Sequence, residues 1–335
     1  MLWPGFIYKF FLSLFIVVHI NGCLGSSRQR STSTAVDTPP RIASSTEKKG
    51  VPDTDEQGMK TISFRQGRLE RSYDLFVPAK LAAERGVVLV MVFHGGGGRG
   101  TGMAKTTEMN ALASAQGFIV VYGNGTGRGD KLSWNSGADK AQGFAERRNI
   151  DDIGYVREIL RQLREKYPID ARRIYATGFS KGAMFTYRLG CELADELAAI
   201  ATVSGPLTYT RCAPSMPLAL MHVHGAVDSR VPFGGSAGIY HTSRIDWPSS
   251  MDGIERWSQF NHCSNRNIKV ASSPGVESRH YQGCRADVEY HLVDDNGHAW
   301  PGSRPKQWQL ENNEPVSQQF PASEQIWRFF DSHHK

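Results

Sequence analysis

The sequence predicts an α/β fold built on a mostly parallel central sheet with helices on both faces. Three observations carry this. Short apolar, β-branched runs bounded by glycine, such as Val87–Phe93, have the pattern of strands covered on both sides. Between such runs lie segments with apolar residues at helical spacing, of which Asn149–Tyr167 is the clearest. The apolar run Arg173–Thr177 passes directly into Gly178-Phe179-Ser180-Lys181-Gly182, a G-x-S-x-G sequence followed by a helical pattern, which places a serine on a tight strand-to-helix turn.

A chain of 335 residues with 40% hydrophobic and 21% charged residues can bury one large core, and a single α/β domain accommodates it. The net charge of +6 is spread along the chain without a basic run or nucleic-acid motif, so no nucleic-acid partner is expected. Residues 1–23, with Lys9 ahead of Phe10–Val18, have the layout of a secretory signal too short to span a bilayer comfortably. Ile20-Asn21-Gly22-Cys23 resembles the lipobox of bacterial lipoproteins, which would lipidate Cys23 and tether the protein to a membrane; simple cleavage near Gly22 or Gly25 is the alternative. Residues 24–58 are rich in Ser, Thr, Pro and charge and read as a disordered tether. The folded domain is expected over 59–335, outside the cytoplasm.

Within it, Tyr73–Val77 alternates as a half-buried strand and Val87–Phe93 is a buried one, leading into the loop His94-Gly95-Gly96-Gly97-Gly98. Met103–Gln116 reads as a helix, Gly117–Tyr122 as a strand, and Asn149–Tyr167 as a helix whose first turn carries Asp151 and Asp152, favourable to the helix dipole. After the G-x-S-x-G turn come a helix to about Leu193, strands Ala198–Val203, Leu218–Val223 and Val288–Val293, and a terminal helix Ala322–Phe330. The stretch Gly234–Arg256 lacks element signals and reads as a binding loop or lid. Without Cys23, four cysteines remain, Cys191, Cys212, Cys263 and Cys284. In an exported chain these imply two disulfides rather than zinc, since no C-x-x-C spacing occurs. Three connectivities are open, the sequence-local pairs being favoured.

A serine hydroxyl becomes nucleophilic when an imidazole takes its proton and a carboxylate orients that imidazole. Asp228 follows the strand Leu218–Val223 and His298 follows Val288–Val293, both where an open α/β sheet has its ligand crevice. The chain order Ser180, Asp228, His298 is that of α/β-hydrolases. An oxyanion hole needs two backbone N–H groups; Lys181 supplies one candidate and Gly95 or Gly96 the other. No cofactor and no metal is required. The bland alternatives are Ser180 as a helix N-cap, Asp228 as a turn residue with Asp294 or Asp295 in its place, and a solvated Lys181 side chain. His94, His222, His224 and His291 read as core or loop-positioning residues; His222 and His224 share a strand face but lack a carboxylate at metal-ligand spacing. Trp134, Trp247 and Trp300 are candidates for an aromatic substrate platform, with packing of loop edges as the alternative.

From about Thr61 onward the chain resembles the secreted polyhydroxybutyrate depolymerase-like and feruloyl esterase family. The matching stretches are His94–Gly97, Ser133–Asn135, Ile150–Gly154, Gly178–Met184, His224–Pro232 and Gly297–Gly302. The resemblance implies an α/β-hydrolase with nucleophile Ser180, acid Asp228 and base His298, acting on polyhydroxybutyrate-type oligoesters or on feruloyl or acetyl esters of plant polysaccharide. It also supports the local disulfides, through Trp257–Cys263. Lys181 departs from the neutral polar residue many members carry. The expected partner is a small-molecule or oligomeric ester, with no obligate protein partner. A serine peptidase on the same fold and a non-catalytic ligand-binding surface protein are the competing readings.

Overall fold

The computed structural model describes residue 55 and residues 58–81, 86–240 and 243–335. The expected signal segment, Cys23 and almost all of the expected tether lie outside the described residues.

In chain order the elements are β1 (Lys60–Gln66), β2 (Leu69–Phe76), β3 (Val87–Phe93), α1 (Gly100–Thr107), α2 (Met109–Gln116), β4 (Ile119–Gly123), β5 (Thr126–Arg128) and β6 (Lys131–Ser133). They continue with α3 (Phe144–Arg147), α4 (Asp152–Lys166), β7 (Ile169–Phe179), α5 (Lys181–Glu192), β8 (Ala199–Val203) and β9 (Ala219–Gly225). The last third contains β10 (Ser236–Tyr240), β11 (Ser243–Trp247), α6 (Ser250–Phe260), β12 (Ser264–Ser273), β13 (Val276–Gln282), β14 (Val288–Val293), α7 (Gln307–Glu311) and α8 (Ala322–Ser332).

Ten strands form one sheet in the order β1-β2-β4-β3-β7-β8-β9-β14-β13-β12. The six from β4 to β14 run parallel, and an antiparallel pair flanks them at each edge. Strand alternation on β3 shows why the parallel strands read as unbroken apolar runs. Leu89, Met91 and Phe93 enter one core with α4, α5 and α6, while Val88, Val90 and Val92 enter a second with α1, α2 and α8. The expected helix Met103–Gln116 is two helices, parted at Glu108 in a left-handed conformation (φ 49°). Strands β12 and β13, for which there was no expectation from the sequence, form the far edge, where the apolar Ile268 and Val270 of β12 are exposed. The stretch Gly234–Arg256, where few element signals were seen, contains the antiparallel hairpin β10–β11 and the start of α6, whose N-cap Ser249 accepts from the Asp252 amide.

Cys191 pairs with Cys212 and Cys263 with Cys284, the local connectivity expected. The chain runs from β3 to β4 on one side and then from β4 back across to β7 on the other. The loops after β3 and β7 therefore face each other at the point where strand order reverses, the place where an open α/β sheet has its crevice.

Candidate active site

Ser180 lies between β7 and α5 with φ 54° and ψ −118°, a strained backbone conformation that makes the sharp strand-to-helix turn. The turn is affordable only beside small residues. A Cβ at Gly178 would lie 2.4 Å from the Gly182 carbonyl oxygen, and one at Gly182 would lie 2.2 Å from that of Phe93. Ser180 Oγ is 2.9 Å from His298 Nε2, and His298 Nδ1 is 2.8 Å from Asp228 Oδ2. Asp228 Oδ1 accepts the Arg230 and Val231 amides at 3.0 and 2.8 Å. These partners fix the tautomer: Nδ1 of His298 donates to the carboxylate, leaving Nε2 to accept from Ser180. Burial works to raise the Asp228 pKa, but His298 and His224 together hold it well below the usual carboxylate range.

Three features beyond the triad hold it in place. His298 N donates to Glu314 Oε2 at 2.6 Å, and Ser229 Oγ donates to Glu314 Oε1, so one buried carboxylate ties the Asp228 turn to the His298 loop. His224 Nε2 lies 2.7 Å from the Val231 carbonyl and 3.4 Å from Asp228 Oδ2. Behind it, His222 Nε2 meets His224 Nδ1 at 3.0 Å, and Tyr187 OH and Thr202 Oγ1 both meet His222 Nδ1. The place at His298 Nδ1, for which Asp294 and Asp295 were the alternatives, is taken by Asp228.

In the loop after β3, His94 Nδ1 donates to the Gly95 carbonyl at 2.7 Å and His94 Nε2 accepts the Gly125 amide at 3.1 Å. Burial pushes the His94 pKa down to about 4, so the ring is neutral near pH 7. The Gly97 and Gly98 amides bond to the Leu132 and Gly95 carbonyls, while Gly95 approaches Ser180: a Cβ there would sit 3.3 Å from Ser180 Cβ.

The structure corrects two expectations. The Lys181 side chain is buried, not solvated: Nζ donates to Ser136 Oγ at 3.0 Å and pairs with Glu146, and desolvation lowers its pKa. The three tryptophans form no platform. Trp134 is fully buried with Nε1 donating to the His94 carbonyl, Trp247 packs on Met184 and Val231, and Trp300 lies in the core against α8 with Nε1 on Ser323 Oγ. Trp134 anchors the His94 loop instead. The aromatic side chains that do line the Ser180 crevice are Phe144, Phe179 and Trp308. Among the described residues no cluster of three or more His, Cys, Asp or Glu could hold a metal, and the His222–His224 pair is occupied with the contacts above.

With this geometry in view, the profile of the phospholipase/carboxylesterase family matches residues 76–244, half of the chain and the part that carries β3, the G-x-S-x-G turn and Asp228. The chain belongs to that family. Among its family-wide relatives, it is 24% identical over 226 residues to feruloyl esterase B of Piromyces equi, which covers 66% of this chain and 40% of that protein. It is 32% identical over 184 residues to a bifunctional acetylxylan esterase/xylanase of Neocallimastix patriciarum, covering 54% of this chain and 25% of that one. The chain thus spans well under half the length of these two curated relatives. Its fold is like that of an acetyl xylan esterase from Aspergillus awamori, with a TM-score of 0.53 and 14% identity over 76% of this chain and 98% of the other.

Proposed function

We propose that this family member is an extracytoplasmic serine carboxylic ester hydrolase. The observation that carries the reading is the continuous hydrogen-bonded line Ser180–His298–Asp228 at the crevice where strand order reverses. Ser180 Oγ attacks the ester carbonyl while His298 Nε2 takes its proton; the Lys181 amide and that of Gly95 or Gly96 stabilise the oxyanion. His298 then gives the proton to the departing alcohol, leaving an acyl-serine. A water, deprotonated by the same imidazole, releases the acid and restores Ser180. Water is the only co-reactant.

The activities for which the relatives are named support acetyl or feruloyl esters of plant polysaccharide ahead of polyester oligomers, and the two disulfides suit an oxidising compartment. The test is a panel of p-nitrophenyl acetate, methyl ferulate and 3-hydroxybutyrate oligomers run with wild type and Ser180→Ala. Wild type should turn over p-nitrophenyl acetate and Ser180→Ala should fall by roughly 10⁶-fold. Equal rates for the two proteins would discard the reading.

A further inference from the structure

Ser180 and His298 open into a cavity of about 1490 Å³, beyond the several hundred Å³ that hold an ordinary small ligand and far more than an acetyl or feruloyl group fills. Its lining is strongly cationic. The β5–β6 hairpin and α3 contribute Arg128, Lys131, Arg147 and Arg148, and the segments after β9 and before α7 contribute Arg230 and Lys306. Among the described residues none of these six takes part in an ion pair, although five are exposed and Arg230 is half-buried. Two carboxylates share the lining, Glu311 and Glu314, and Glu314 is consumed by the His298 amide and the Ser229 hydroxyl.

Two of the cations are held on aromatic faces: the Arg230 guanidinium lies 4.3 Å from the Trp308 ring centre and that of Arg148 lies 6.0 Å from Phe144. Stacking restrains a guanidinium while leaving its N–H edge free for paired bonds to carboxylate or sulfate oxygens. Unpaired cations along low-dielectric walls also focus a positive field onto the nucleophile, attracting anions and repelling cations.

We infer that the crevice binds a glycan chain carrying repeated anionic groups, carboxylate or sulfate, and that the ester cleaved at Ser180 is borne by such an acidic polysaccharide. The inference rests on the ester-hydrolase reading. It favours a glycan over nucleic acid because the groups on the crevice floor act on an acyl carbon, which a phosphodiester backbone lacks.

The experiment measures binding by calorimetry to full-length Ser180→Ala protein, with polygalacturonate, dextran sulfate, neutral dextran and single-stranded DNA as probes. Polygalacturonate or dextran sulfate should bind, the better of the two identifying the anion. Neutral dextran should not, and affinity should fall as ionic strength rises from about 0.05 to about 0.5 M. Adding Arg147→Gln and Arg148→Gln together, or Arg230→Gln alone, should weaken binding by about ten-fold, with unchanged thermal unfolding showing that the fold is intact. Binding to neither anionic glycan overturns the inference, as does DNA binding as tightly as both with the same loss in the variants. Wild-type turnover of p-nitrophenyl acetate, measured alongside, separates the two readings: no turnover removes the hydrolase reading, whereas turnover without glycan binding removes only the present one.

Discussion

His222 Nε2 lies 3.0 Å from His224 Nδ1, and the pair forms the buried rear of the catalytic line. One proton position follows from a neighbour. The Val231 carbonyl can only accept, so His224 Nε2 carries a hydrogen, which also faces Asp228 Oδ2 at 3.4 Å. His222 Nδ1 meets the Tyr187 and Thr202 hydroxyls, and burial keeps the pKa of the ring well below the ordinary histidine value. His222 thus packs behind His224, and His224 alone of the two faces Asp228. Replacing His224 by Leu should leave the triad residues present but poorly aligned, lowering kcat for p-nitrophenyl acetate by roughly ten- to a hundred-fold with little change in KM. Steady-state kinetics decide; an unaltered kcat would show that Asp228 is held by the Arg230 and Val231 amides alone.

Glu314 is sixteen residues from His298 in sequence and 2.6 Å from its amide in space. Glu314→Ala should leave that buried N–H without an acceptor, at a cost of about 1 to 3 kcal/mol, and should slow turnover by letting the His298 loop drift. Urea unfolding and kcat are to be measured on the same preparation. A stability loss without any loss of kcat would assign Glu314 to the scaffold only.

Lys181 and Glu146 are 8% and 2% exposed at their side chains and pair across the chain. Removing one partner strands a buried charge, so Lys181→Ala should lose roughly 3 to 5 kcal/mol. The double substitution Lys181→Met with Glu146→Gln should recover most of it and remain active, because the Lys181 backbone amide survives. Denaturant midpoints of the single and double variants check the first point and p-nitrophenyl acetate turnover the second.

His94 links stability to pH. Its folded pKa of about 4 lies below the 6.5 of an exposed imidazole, so between these values the unfolded chain binds the extra proton and stability falls as pH falls. Across the whole window the loss is about 3 kcal/mol, and His222 adds to it in the same direction. His94→Gln, which cannot titrate, should flatten the stability profile between about pH 6.5 and about pH 4. Urea titrations at several pH values provide the comparison, and parallel slopes for wild type and variant would remove His94 as the cause.

The amino-acid sequence already showed the strands and helices that build the parallel part of the sheet, the tight turn at Ser180 and the placement of Asp228 and His298 just past strand ends, though not the break at Glu108 or strands β10 to β13. It could do so because these are local matters: apolar periodicity, glycine beside a sharp turn, a polar residue where a buried run stops. Which carboxylate meets His298, how Glu314 and His224 brace the line, the burial of Lys181 against Glu146, and the inward packing of Trp134, Trp247 and Trp300 became visible only in the folded chain. Those depend on contacts between segments far apart in the chain, 70 residues for His298 and Asp228 and 35 for Lys181 and Glu146. Whether a Lys or Trp is wet or dry is set by what folds over it, and no local pattern carries that information.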